Sequence, residues 1–207
     1  MFNSLFVDET KARINYSSIV KAGSTYFFED NARVSLPAKG SCPTIAVFDI
    51  APKKENQVCP INKNYDYMTR LGDPLNFSEC FFTTIITLAE KHQLNLVIKP
   101  KRHNSSILSG YHEILSKLGQ HDRVTIASSE ISAFRLVDYC DGGIVQPFTS
   151  IGYYDETSTP LTFYDPLSLL DKTLNQQKGQ ELCSGPDELS EWILRVKTNY
   201  WSNLREN

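Results

Sequence analysis

The sequence lacks several features that would place it at once, and each lack removes a class of protein. No run of about 20 apolar residues occurs, so no membrane-spanning helix is expected. The first residues, Met1-Phe-Asn-Ser-Leu-Phe-Val-Asp8, hold neither a basic stretch nor a long apolar core, so no secretion signal is expected. Cysteine is sparse and scattered: Cys42, Cys59, Cys80, Cys140 and Cys183 are odd in number and form no Cys-x-x-Cys pair. That spacing argues against a disulfide framework and reads as free thiols in a reducing cytoplasm. Without a secretion signal, Asn15-Tyr-Ser, Asn76-Phe-Ser and Asn104-Ser-Ser read as chance matches to the glycosylation pattern. The four histidines, His92, His103, His112 and His121, have no metal-ligand spacing to one another or to cysteine, so no metal is expected. No Walker loop and no Gly-x-Gly-x-x-Gly is present, which argues against a simple ATPase or nicotinamide enzyme. A Gly-x-Ser-x-Gly nucleophile elbow is absent too. There is no internal repeat and no low-complexity segment. With 21 basic and 24 acidic residues the net charge is −3, which gives no global reason to expect a nucleic-acid partner.

What is present is an ordinary globular composition. At 41% hydrophobic residues over 207 positions, the chain can bury a core without staples, and wholesale disorder is excluded. The length suits one domain with an extension. Residues 1–43 show little periodicity, apart from a strand-like Thr25-Tyr-Phe-Phe28, and read as an N-terminal extension or linker. Residues 44–207 read as the domain.

From Thr44 onward, short apolar runs alternate with amphipathic segments. Thr44–Ile50, Leu94–Lys99, Arg123–Ala127, Gly143–Gln146 and Leu161–Tyr164 have the run length of buried strands. Helical spacing predicts helices over Ser78–His92, where Phe81, Phe82, Ile85, Ile86 and Ala89 share a face, and over Leu108–Leu118. Ser129 is a candidate cap for a third helix through Ile131, Phe134 and Val137, and Pro166 a candidate opening for a fourth. The last helix starts near Pro186, with Leu189, Trp192, Ile193, Val196 and Tyr200 as its apolar stripe. Together with Trp201 these aromatics either pack in the core or face a partner domain. Strands alternating with helices predict an α/β, Rossmann-like parallel sheet with helices on both faces.

In such a sheet, ligands bind beyond the carboxyl ends of the strands. Four of those ends are chemically loaded. The second strand runs into Lys99-Pro100-Lys101-Arg102-His103, which is either a solvated basic turn or an anion site built from point charges and a planar guanidinium fork. Ser128-Ser129-Glu130 follows the third strand, as a helix cap or as a place where backbone N–H groups face an anion. The fourth strand leads into Pro147-Phe-Thr149-Ser150-Ile151-Gly152, where two hydroxyls beside a glycine suit phosphate. Tyr164-Asp165-Pro166 ends the fifth, and Asp165 either accepts sugar hydroxyls or caps the helix that Pro166 would open.

The ordered set Val47-Phe-Asp-Ile50, Val97-Ile-Lys-Pro-Lys-Arg102, Pro147-Phe-Thr-Ser150 and Phe163-Tyr-Asp-Pro166 resembles bacterial surface-carbohydrate (capsule and lipopolysaccharide) biosynthesis proteins. More broadly it resembles the donor-binding C-terminal half of two-domain glycosyltransferases of the GT-B type. Transferases using CMP-linked acidic sugars and glycerophosphate transferases of teichoic-acid assembly share this style of motif. The resemblance spans roughly residues 44–200. It implies a nucleotide-activated sugar as co-substrate, with no metal or other cofactor. Lys99, Lys101, Arg102, Ser128, Ser129, Thr149, Ser150, Ile151 and Gly152 would face the donor and its phosphates. Glu156, Tyr164 and Asp165 would border the sugar or nucleotide. Two departures stand out: Lys101 occupies the place of a histidine in a Lys-Pro-His-Pro segment, and Thr157-Ser-Thr-Pro160 replaces a glycine-containing turn. In that fold type the acceptor and general base belong to an N-terminal domain. The resemblance therefore implies a second domain or partner chain, and a location in the cytoplasm or at the inner face of the membrane. A non-catalytic binding or assembly module, and a glycerophosphotransferase, are the alternatives.

Overall fold

The computed structural model describes Leu36 and residues 41–53, 67–100, 107–153, 157–170, 172 and 181–206. The strand-like Thr25–Phe28 run lies outside them. Five expected strands form: β1 (Thr44–Phe48), β2 (Asn95–Lys99), β3 (Val124–Ile126), β4 (Gly142–Val145) and β5 (Leu161–Asp165). A sixth, β6 (Glu181–Ser184), is a four-residue Glu-Leu-Cys-Ser run too short to show a period. Within this six-stranded sheet the pairings are parallel, in the order β3-β2-β1-β4-β5-β6. The sheet therefore grows outward from β1 in one direction and from β4 in the other, and the chain reverses its winding between them. That junction is the topological switch point of a Rossmann-like sheet.

The helices are α1 (Pro74–His92), α2 (Ser109–Leu118), α3 (Ala133–Tyr139) and α4 (Gly185–Glu206). Helix α1 begins four residues ahead of the expected start. Asp73 accepts hydrogen bonds from the Leu75 and Asn76 amides at 2.7 and 3.1 Å, and Pro74 takes the first helical position, where no N–H is needed. It stops at Gln93, whose φ of 57° is left-handed. Ser129 does not cap α3. The helix begins after Ser132, because residues 128–131 close a turn instead: Ser128 accepts from the Glu130 amide through its side chain and from the Ile131 amide through its carbonyl. Pro166 opens no helix over 166–170; Ser168 has a φ of 52°, which a helix cannot propagate, and the segment turns.

Strand alternation divides the core into two layers. Ile45, Val47, Leu96, Ile98 and Tyr164 face one side, where α1, α2 and α4 cover them with Phe77, Phe81, Ile85, Tyr111 and Trp192. Ala46, Phe48, Val97, Val145 and Phe163 face the other, against Leu136 and Val137 of α3, with Leu36 packed alongside. Trp192 is thus a core residue rather than an exposed aromatic, and it lies so close to β4 that a Cβ on Gly142 would meet its ring at 3.0 Å. Among the described residues, Cys42, Cys80, Cys140 and Cys183 form no disulfide, and burial pushes Cys183 up to about 11. Among the described residues, no helix is long and apolar enough to cross a membrane.

His92 closes α1 against α4. Its Nε2 lies 2.8 Å from the Ser190 hydroxyl, and its carbonyl accepts from Lys197 at 2.8 Å. Burial first, then Lys91 and Lys197, hold its pKa below the ordinary histidine value. The unfolded chain therefore binds a proton that the folded one resists. Stability is full above about pH 6.5 and declines as pH falls below it. Urea unfolding followed from pH 7.5 to 5 should show this decline, and His92→Gln should flatten it.

Candidate functional site

The chemistry gathers at the carboxyl ends of β1, β4 and β5. Each of these strands is an apolar run that finishes in a polar residue: Asp49 after Phe48, Gln146 after Val145, and Asp165 after Tyr164. All three are buried, at 6%, 1% and 0% exposure. A buried polar group needs partners, and these residues find theirs in the surrounding loops and helices.

Asp165 has the fullest set. The Leu167 amide donates to Oδ1 at 3.0 Å, and the Leu169 and Leu170 amides donate to Oδ2 at 2.7 Å each. The Tyr67 hydroxyl donates to Oδ1. Four donors meet the roughly four lone-pair sites of two carboxylate oxygens, which leaves no capacity for a ligand. The capping alternative therefore describes Asp165, and it caps a turn rather than a helix. Burial and this carboxylate push the Tyr67 phenol well above its ordinary value, so the hydroxyl stays a donor. Asp49 has a similar partner: the Tyr111 hydroxyl of α2 donates to its Oδ2 at 2.7 Å, and Tyr111 is likewise pushed up, by burial and then by Asp49.

Gln146 locks the switch point. Its amide donates to the Phe48 carbonyl at 2.7 Å, and its side-chain Oε1 accepts from the Ile50 amide at 2.9 Å. Because Oε1 is fixed as the acceptor, Nε2 is the free end, and it finds no hydrogen-bond partner among the described residues. The next residues turn sharply. Thr149 N donates back to the Gln146 carbonyl, and Ser150–Tyr153 form one 3-10 turn. The Thr149 hydroxyl is also enclosed and without a partner among the described residues. Between them Phe148 has a φ of 69°, a left-handed conformation that costs a bulky residue of order 1–3 kcal/mol. Its ring is edge-on to Tyr67 at 5.9 Å, and 37% of the residue is exposed.

The other residues singled out from sequence divide into three groups. Lys99 is at the end of β2, where its Nζ donates to the Ser129 carbonyl at 3.0 Å, tying two loops together. Ser128 and Ser129 are exposed in that second loop, away from the β1–β4 junction in strand order, and Ser150 is exposed at the 3-10 turn. Ile151, Gly152 and Tyr164 are core. Ile151 packs beside Phe163, and a Cβ on Gly152 would meet that ring at 2.3 Å, so packing demands the glycine. Tyr164 stacks near Phe81, hydrogen-bonds Thr84, and is raised to about 12 by burial. Lys101, Arg102 and Glu156 lie outside the described residues. Residues that sequence reasoning passed over are Asp49, Tyr67, Tyr111, Gln146 and Phe148. For Asp49 and Gln146 the signal was available, in a polar residue closing an apolar strand. A groove of about 630 Å³ lies elsewhere, between α2 and the edge strand β3, lined by His112, Leu115, Ser116, Thr125 and Ile126 among others.

Topology and site together define a Rossmann-like α/β domain whose polar groups converge at its switch point. The chain belongs to the polysaccharide biosynthesis PFTS motif family, whose model matches residues 8–193. Pro147-Phe148-Thr149-Ser150 spells that motif at the loop after β4. The match also runs through the segment before Thr44. Among solved structures, a Listeria monocytogenes protein provisionally assigned as a UDP-N-acetylglucosamine 2-epimerase is similar at 15% identity and a TM-score of 0.49. The likeness covers 79% of this chain and 38% of that one, so the chain spans well under half of that protein. No curated protein matches the chain.

The Asp165 cluster yields a direct test. Tyr67→Phe should cost about 1.5–3 kcal/mol, the worth of a hydrogen bond to a charged group. Asp165→Ala should cost more, because it strands three backbone amides as well. Urea unfolding of both and of the double variant should give clearly non-additive losses.

Proposed function

We propose that this domain binds a nucleotide-activated sugar and serves a glycosyltransferase-type step of polysaccharide biosynthesis. The observation that carries the reading is the pair of unpartnered polar groups at the switch point, the Gln146 amide and the Thr149 hydroxyl, inside the family's own motif. A buried donor without a partner costs about 1–3 kcal/mol. Such a cost is met when a ligand supplies acceptors, and phosphate oxygens are strong ones. Family membership supports sugar chemistry as the setting.

In this reading Thr149 and Ser150 hold the donor's phosphates, and Lys101 and Arg102 add charge from the loop after β2. The domain's contribution is to hold donors where negative charge develops on the departing phosphate. That is electrostatic stabilisation prepared before the reaction. The acceptor and the general base come from a further domain or partner chain. Lys99, which donates to the Ser129 carbonyl, also steadies the loop after β3.

Titration calorimetry against CMP, CDP, UDP, GDP and inorganic pyrophosphate tests the proposal. At least one nucleotide should bind, and Thr149→Ala should weaken it about tenfold, the loss of one hydrogen bond to a charged group. Absence of binding by every nucleotide would sink it. Binding unaffected by Thr149→Ala would move the phosphate away from this loop.

A further inference from the structure

Phe148 is an anomaly that neither packing nor phosphate binding explains. A phenylalanine at a φ of 69° is strained where glycine or asparagine would not be. Burial does not compensate, since 37% of the residue remains exposed. The surroundings nonetheless hold the ring in place. Tyr67 lies edge-on to it at 5.9 Å and 71°, and Tyr67 is itself fixed twice, by its hydroxyl on Asp165 and by its ring against Phe77 at 5.1 Å. Strain held by an over-determined neighbourhood is how functional sites keep a side chain presented. On either side in sequence stand the two unpartnered polar groups, the Gln146 Nε2 and the Thr149 Oγ1.

We infer that Phe148 is a stacking platform for the nucleobase of the bound nucleotide, an inference that rests on the proposed nucleotide-sugar reading and extends it. The ring offers a π-face and no polar atom, so its ligand contributes a flat apolar face. The adjoining amide and hydroxyl require that the same ligand carry hydrogen-bond acceptors. A nucleobase attached to phosphate has both features. Phe148 directly precedes Thr149, so a base on the ring and a phosphate at that hydroxyl would be neighbouring parts of one ligand. Stacking tolerates any base, which leaves the choice among bases to polar contacts such as the Gln146 amide. The Asp165–Tyr67 pair then acts as a positioning element that keeps the platform in place.

The test compares Phe148→Leu and Phe148→Tyr with the unaltered chain, using the best-binding free nucleotide and inorganic pyrophosphate as probes. Leucine keeps apolar bulk but removes the π-face; tyrosine keeps both. Thermal unfolding of each variant confirms that it folds. Phe148→Leu should weaken nucleotide binding by about 5- to 100-fold, with pyrophosphate binding unchanged and Phe148→Tyr close to the original. Equal losses for nucleotide and pyrophosphate would overturn the platform, since the change would then act on the phosphate loop. Unchanged nucleotide affinity in Phe148→Leu would overturn it as well, while a loss in Thr149→Ala would leave the nucleotide reading standing. Weakening confined to the nucleotide-sugar, with the free nucleotide unaffected, would place the sugar on the ring and overturn the base assignment. If no nucleotide binds the unaltered chain, the inference and the reading beneath it fall together.

Discussion

The Asp165 carboxyl group, fully buried at the end of β5, is the constraint on which the site's architecture depends. Burying a carboxylate alone costs many kcal/mol, so the chain around it must be folded to supply donors. It does so with the Leu167, Leu169 and Leu170 amides and the Tyr67 hydroxyl. Those bonds define the turn after β5, which explains why Pro166 does not start a helix there. They also fix the chain just ahead of α1, because Tyr67 packs on Phe77 of that helix and on Phe148 of the loop after β4. One buried group thereby ties two strand-end loops and the chain ahead of α1 into a single frame.

A second frame stands beside it. Asp49 and Tyr111 join the end of β1 to α2, and Gln146 joins the end of β4 to the backbone of β1. The two meet at the switch point, where the sheet changes direction and the strand ends part. In the first frame, four donors meet the Asp165 carboxylate. At the junction, the Gln146 amide and the Thr149 hydroxyl have no partner among the described residues. So much hydrogen bonding fixes this edge, beside those two enclosed groups, that the arrangement suits the preorganised site of the proposed function. The Pro147-Phe-Thr-Ser150 run, whose letters match the family's name, falls on the same few residues.

Much of the fold was legible in the sequence, because hydrophobic run length and helical spacing are local signals. The runs Thr44–Ile50 and Leu94–Lys99 and the stripe of Phe81, Phe82 and Ile85 needed no tertiary information. What escaped detection depended on contacts distant in sequence. Strand β6 is four residues long and is defined only by pairing with β5. The Asp165 turn requires a tyrosine 98 residues away. Ser129 has the chemistry of a cap, but the turn at Ser128 uses it otherwise. For the site, the sequence pattern pointed to the strand ends, where the structure gathers Asp49, Gln146 and Asp165. That Tyr164 and Gly152 pack in the core was not legible, because a strand's alternation and the approach of the Phe163 ring decide it. Phe148 stood inside the Pro147-Phe-Thr-Ser150 motif, but its strain was not legible, since backbone conformation is invisible in a string of residues.

The central claim is that ligand binding occurs at the junction of β1 and β4. Amide chemical-shift mapping during titration with CMP, CDP, UDP and GDP addresses it most directly. Shifts should centre on Asp49, Ile50 and residues 146–152, with a smaller response at Tyr67. Shifts confined to the groove between α2 and β3, around His112 and Thr125, would contradict it, and so would no response to any nucleotide at millimolar concentration.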